Sequence, residues 1–223
     1  MKNVKNAQMN RLIKLMANGN GKDFSPITSL IQSGNRKIPR ATAIFNMGSA
    51  TDCPSKKLGF CQAYSLKGTH VCYAKKFERS YHPTVLPYRR KQEKYWKKTT
   101  AEQFIIDFVI LNSLKSEPFT ALRLNEAGDF WGQKCVDKAE HIARVLKTYG
   151  IRTYCYTSRQ DLNFSKVRHL VISGSNFKKE GIRGTFKMIY NKKERPAGYG
   201  ICKGDCNICQ RCLIGRKTAV LKH

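Results

Sequence analysis

The chain has 223 residues, with 42 Lys or Arg against 15 Asp or Glu and a formal charge of +27. That length supports one domain with a real core, or two small ones, without disulfide staples. Residues 1–20 hold no continuous apolar stretch and no small-residue cleavage site, and no later segment approaches about 20 apolar residues, so neither a secretory signal nor a membrane span is expected. In the cytosolic setting this implies, thiols stay reduced, and nine cysteines read as metal or redox chemistry. The excess charge reads either as attraction for nucleic acid or another anionic partner, or as a lysine-rich surface with no such partner.

Residues 1–40 read as a polar, basic N-terminal arm with GNGK and SGNRK as turn signals and a short amphipathic pattern at Leu12, Ile13, Leu15 and Met16. Residues 41–45 (ATAIF) are the first strand candidate, followed by a Gly-, Ser- and Pro-punctuated loop. Residues 88–98 (YRRKQEKYWKK) read as a basic helix with Pro87 in its first turn. A second helix is expected over 101–114, where Thr99 and Glu102 have capping-box spacing and Phe104, Ile105, Phe108, Val109 and Leu111 make an apolar face. Residues 119–124 (FTALRL) read as a strand. A helix follows over 136–149, with Val136, Ala139, Ile142, Ala143 and Leu146 on one side and Gly150 as its stop. Further strands are expected at 151–157, 169–173 and 185–190. Strand, helix, strand at this spacing predicts parallel βαβ units in one α/β domain over residues 41–195. Residues 196–223 form a Cys-rich tail.

Seven cysteines fall in two groups. Cys53, Cys61 and Cys72 lie in the loop after the first strand, spaced C-x7-C-x10-C, and Cys202, Cys206, Cys209 and Cys212 lie in the tail, spaced C-x3-C-x2-C-x2-C. Thiolates select zinc or iron–sulfur clusters. The tail group resembles cluster-binding runs and holds enough thiols to enclose a cluster or a zinc ion. Three thiols in the loop leave one metal position open. Two clusters are one reading, and a single cluster shared by loop and tail is another. Cys135 and Cys155 read as buried core residues.

Ligands of such sheets bind at the carboxyl ends of the strands. There the loop cysteines, Arg123 with Glu126 and Asp129, and Arg159 with Asp161 would share one rim. These five charged residues are candidates for holding a polar substrate, or else they tie neighbouring loops together. Tyr88, Tyr95 and Trp96, interleaved with Arg and Lys, suit nucleic-acid stacking, or a solvated helix whose aromatics turn inward.

The motifs TAIFNMG, DCPS, FCQAYS, VCYAKKFER, YRRKQEKYW, LRLNEAGDFW, YTSRQDL and ISGSNF together resemble the phage family called gene product 88, over most of the chain from about Asn35 to the tail cysteines. That resemblance implies a phage origin, a location in the cytoplasm of the infected host cell, and an architecture that depends on its cysteines. A second resemblance is to radical S-adenosylmethionine enzymes, which place a three-cysteine cluster loop after the first strand of a partial, open TIM-like barrel. It implies that barrel for this chain too. The loop lacks that family's C-x3-C-x2-C, which stands instead at Cys202, Cys206 and Cys209, so neither S-adenosylmethionine nor radical chemistry is carried over from spacing. The expectation is an iron–sulfur protein, with 4Fe-4S clusters and an open iron for redox or radical-type chemistry. The alternative is a non-enzymatic nucleic-acid-binding protein with structural zinc.

Overall fold

The computed structural model describes residues 27–61 and 72–221. The amphipathic pattern at Leu12–Met16 and the middle of the cysteine loop lie outside the described residues. Eight strands form one sheet in the order β1-β2-β3-β4-β5-β6-β8-β7. They are β1 (Gln32–Ser33), β2 (Thr42–Phe45), β3 (Ala121–Leu124), β4 (Arg152–Thr157), β5 (Val171–Ser175), β6 (Gly184–Ile189), β7 (Gly200–Ile201) and β8 (Thr218–Leu221). Every described pairing is parallel except β1 with β2. The sheet is open, with β1 and β7 as its edges, and β2 through β6 lie side by side in chain order.

Five helices precede β4: α1 (Pro54–Lys57), α2 (Tyr73–Ser80), α3 (His82–Lys98), α4 (Ala101–Ser113) and α5 (Gln133–Thr148). The apolar stripes of α3, α4 and α5 cover one face of the sheet. Trp96 of α3, Phe104 and Phe108 of α4, and Val136, Ala139, Ile142 and Leu146 of α5 share one cluster with Ala43, Phe45, Leu122, Leu124, Cys155 and Ile172. Phe104 packs edge-on to Phe45 and to Trp96, with ring centroids 5.2 and 5.5 Å away, a geometry that aromatic quadrupoles favour. Side chains alternate along a strand, so Ala121, Tyr154 and Val171 point to the opposite face. There Cys212 and Leu213 of the tail pack on them.

Three expectations change in detail. The basic helix begins at His82, so Pro83 occupies the first turn and Pro87 lies inside the helix. The N-cap of α4 is Thr100, whose Oγ1 accepts from the Gln103 amide at 3.1 Å, so the Thr99–Glu102 box does not form. Beyond β4 the crossovers are not helical: residues 158–170 and 176–183 loop back, and Leu162, Phe164, Val167, Leu170 and Ile182 fill the place a helix would take in the core. Gly150 ends α5 with φ of +78°, as expected. None of the helices is long and apolar enough to cross a membrane among the described residues.

Candidate metal centre

The loops leaving β2, β3 and β4 meet at the carboxyl edge of the sheet, and buried side chains lock them together. The Asp129 carboxylate is the centre of this rim. It accepts from Ser55 Oγ at 2.6 Å, Thr157 Oγ1 at 2.7 Å, and the amides of Phe130 and Ser158 at 2.8 Å. Burial raises its pKa, although all four donors act to lower it. Asn46 Oδ1 accepts from the Ala127 amide at 2.7 Å, and Trp131 Nε1 donates to the Met47 carbonyl at 2.9 Å. At Gly128, where φ is +75°, a Cβ would stand 2.6 Å from the Gly48 carbonyl oxygen, so the β2 and β3 loops touch backbone to backbone.

A second lock comes from α2 and α3. Glu78, 1% exposed, accepts from the Ala50 amide at 2.7 Å, from the Thr51 amide at 2.9 Å and from Thr51 Oγ1 at 2.7 Å. Arg89 Nη1 pairs with it at 2.9 Å and also donates to the Ala74 carbonyl at 3.0 Å. Burial opposes the charge of Glu78, but these hydrogen bonds outweigh it and hold its pKa below the ordinary value. A buried ion pair of this kind sets geometry more surely than it adds stability, because both charges lose water.

Cys53 and Cys72 sit on this scaffold as the N-caps of α1 and α2. Cys72 packs on Ala50, Ala74 and Ala127, small residues that leave room for its thiol. Burial pushes the Cys53 thiol up to about 12, with Asp129 and Cys61 adding to the shift and the Lys56 and Ser55 amides opposing it. Arg159 lies close enough to Cys53 and Asp129 for their charges to act on it.

The charged candidates divide. Arg159 grips Asp161 with two bonds of 2.8 and 2.7 Å and donates to the Phe130 carbonyl at 2.5 Å, so this pair ties the β3 and β4 loops together. Asp129 is likewise fully engaged. Glu126 Oε1 accepts from Asn35 Nδ2 at 2.7 Å. Arg123 is different. It projects from the other face of the sheet, and among the described residues its Nε is buried without a partner and its Nη2 reaches only Tyr73 Oη, at 3.4 Å.

The tail cysteines lie on that same face. Cys202 and Cys206 are fixed by backbone bonds of 2.8 Å, from the Cys202 amide to Ala219 and from the Cys206 amide to Lys37. Gly204, with φ of +76°, turns the chain between them, and its amide points at the Cys202 sulfur. Burial raises the Cys206 and Cys212 thiols. Cys202 raises both further, and Cys212 and Cys209 add to the shift of Cys206, whereas Arg123 lowers both and the Tyr156 hydroxyl lowers Cys212.

Among the described residues, no three His, Cys, Asp or Glu side chains are grouped as they stand to hold an ion. The donor chemistry nevertheless fits a thiolate-bound metal. All four tail thiols are free of disulfides, neighbouring tail thiols oppose the ionisation of Cys206 and Cys212, and the Arg123 Nε on the same face has no hydrogen-bond partner among the described residues. Cys135 and Cys155 are buried in the core as expected, the former taking a hydrogen bond from Trp96 Nε1 at 3.1 Å.

Sequence reasoning missed the Glu78–Arg89 lock and Tyr73. The lone carboxylate in the run KKFERS was the available signal for the lock, since a single acid among bases suggests a specific partner. The aromatics of the basic helix turn inward: Trp96 is 4% exposed and Tyr95 donates to Asp107, whereas Arg90, Lys91, Lys94, Lys97 and Lys98 face solvent.

Neither the curated proteins nor the solved structures hold a match to this chain. The family model described as gene product 88 matches residues 6–178, which takes in the loop cysteines and the whole rim and stops before the tail cysteines. The chain therefore belongs to the gene product 88 family, a phage family.

Proposed function

We propose that this protein is an iron–sulfur protein of the infected host's cytoplasm, with one thiolate centre at the strand-end rim and another in the tail. The observation that carries the reading is the pair of cysteine groups set on one sheet: Cys53, Cys61 and Cys72 on a locked rim, and Cys202, Cys206, Cys209 and Cys212 gathered on the face that no helix of the main core covers. A donor set of thiols alone favours iron–sulfur or zinc over harder metals. Three cysteines at the rim, against four in the tail, suit an open iron in the first centre and a closed ligand set in the second.

An iron–sulfur cluster would supply one-electron transfer, and an open iron would add a place for a ligand to bind. The chain's own part is positional. Glu78 and Arg89 hold the backbone at Ala50 and Thr51, just before Cys53, while Asp129 holds Ser55 just after it. The chain-order winding of β2 to β6 supports a finer reading of the sheet as a partial, open barrel with its rim as the reactive end. On that reading the protein is an enzyme of redox or radical type.

Anaerobic purification of the full chain, with iron, zinc and acid-labile sulfide measured, tests the proposal. Iron and sulfide in comparable amounts are expected. Stoichiometric zinc without sulfide would overturn it. The open-iron reading has its own test: S-adenosylmethionine added to the iron-loaded chain should perturb the cluster spectrum, and an unchanged spectrum counts against radical chemistry.

A further inference from the structure

We infer that Arg123 is a positioning residue of the tail centre: the half-buried counter-cation for the negative charge of four tail thiolates and their metal. The inference rests on the metal reading above and adds a residue from outside the cysteine groups.

Arg123 stands on β3 in register with Ile44 of β2 and Tyr154 of β4. Its guanidinium carbon lies 5.2 Å from the centre of the Tyr156 ring. Cys212 packs against the cluster containing Tyr154 and against Tyr156, so the arginine and the tail thiol share the same aromatic neighbours. No carboxylate forms an ion pair with Arg123 among the described residues. Glu126 is near enough for its charge to be felt, but its Oε1 is occupied by Asn35 at 2.7 Å.

A guanidinium with a sealed, unpaired Nε is costly, and native proteins rarely leave such a group without a partner. The anions we assign to complete it are the tail thiolates, of which Cys206 and Cys212 lie near enough for the guanidinium charge to act on them. A centre of four thiolates carries net negative charge whether it encloses zinc or a cluster, and nearby cations and hydrogen-bond donors are among the levers that set its affinity and potential. Arg123 also links the two cysteine groups, since Tyr73, its hydrogen-bond partner, directly follows Cys72.

The experiment compares the full chain with Arg123→Met and Arg123→Lys, all purified anaerobically and analysed for metal and sulfide. If the tail holds a cluster, Arg123→Met should make its reduction about tenfold less favourable, a shift of about 59 mV to more negative potential for a one-electron couple. If the tail holds zinc, the same variant should weaken retention against a chelator about tenfold. Arg123→Lys keeps the charge and should recover most of either effect. A mere packing role predicts no such recovery, because lysine fills the site differently from arginine. If Arg123→Met does not fold, Arg123→Lys against the unaltered chain still decides: a near-normal potential or retention supports the inference, and a loss as severe as that of a tail-cysteine variant overturns it. An unchanged potential and retention in a metal-loaded Arg123→Met overturns this inference and leaves the metal reading intact. Absence of tail-bound metal from the unaltered chain overturns both.

Discussion

Around Cys53 and Cys72 the backbone is pinned by buried side chains: Asp129 with four donors, Glu78 with Arg89, and Gly48 against Gly128. Around Cys202 to Cys212 it is held mainly by turns, by backbone bonds to Lys37 and Ala219, and by packing of Cys212 and Leu213 on the bare sheet face. The rim is thus held in place by the chain's own buried side chains. Among the described residues the tail has no comparable network of buried side chains, and Arg123, which faces it, has no ion-pair partner. A prebuilt site suits chemistry, where ligand geometry must be fixed, whereas a site organised by its metal suits structure.

The largest effect expected to break this contrast is at Glu78. Glu78→Ala leaves Arg89 buried and unpaired, and should cost about 3–5 kcal/mol in urea denaturation while rim-bound metal is lost and tail metal stays. A loss below about 1 kcal/mol would show that the rim is not held this way. Gly128→Ala comes next. At φ of +75° and 2.6 Å from the Gly48 carbonyl the new methyl must push the two loops apart, and a cost above about 1 kcal/mol is expected by the same assay.

The pH dependence follows from Glu78. Its pKa is lowered in the folded protein, so its contribution is present above the ordinary Glu value of 4.5 and is lost as pH falls through the lower, folded-state value. Unfolding titrations should therefore show an acid-side loss that Glu78→Gln flattens. The smallest effect belongs to the tail. Cys202→Ser and Cys209→Ser, at half-exposed positions, should change the metal-free chain's stability by no more than about 0.5 kcal/mol while abolishing tail metal. A large loss without metal would place the tail among the prebuilt regions.

Much of the fold was legible where periodicity was long. The five apolar positions Val136, Ala139, Ile142, Ala143 and Leu146 are all buried as the helical spacing implies, and β2 to β6 fall within a few residues of their expected places. The short elements were not legible. The two-residue strands β1 and β7 and the four-residue β8 carry no alternation long enough to read, and α2 follows a cysteine loop whose composition suggests turns. The crossover loops after β4 mislead for another reason: Leu162, Phe164 and Val167 supply core apolar residues without helical spacing. At the candidate site, residue type alone could not separate Arg159, which is fully partnered, from Arg123, which is not. Strand alternation could have placed Arg123 on the face opposite Leu122 and Leu124, but only the tertiary structure shows that the tail thiols come to lie there.

The most direct test of two separate centres is the iron and sulfide content of three anaerobically purified full chains: the unaltered protein, a variant with Cys53, Cys61 and Cys72 changed to Ser, and one with Cys202, Cys206, Cys209 and Cys212 changed to Ser. Each variant should keep about half of the iron and sulfide of the unaltered chain, since each loses one of two clusters. Loss of all iron from either variant would mean one shared cluster, and zinc without sulfide in the unaltered chain would contradict the account altogether.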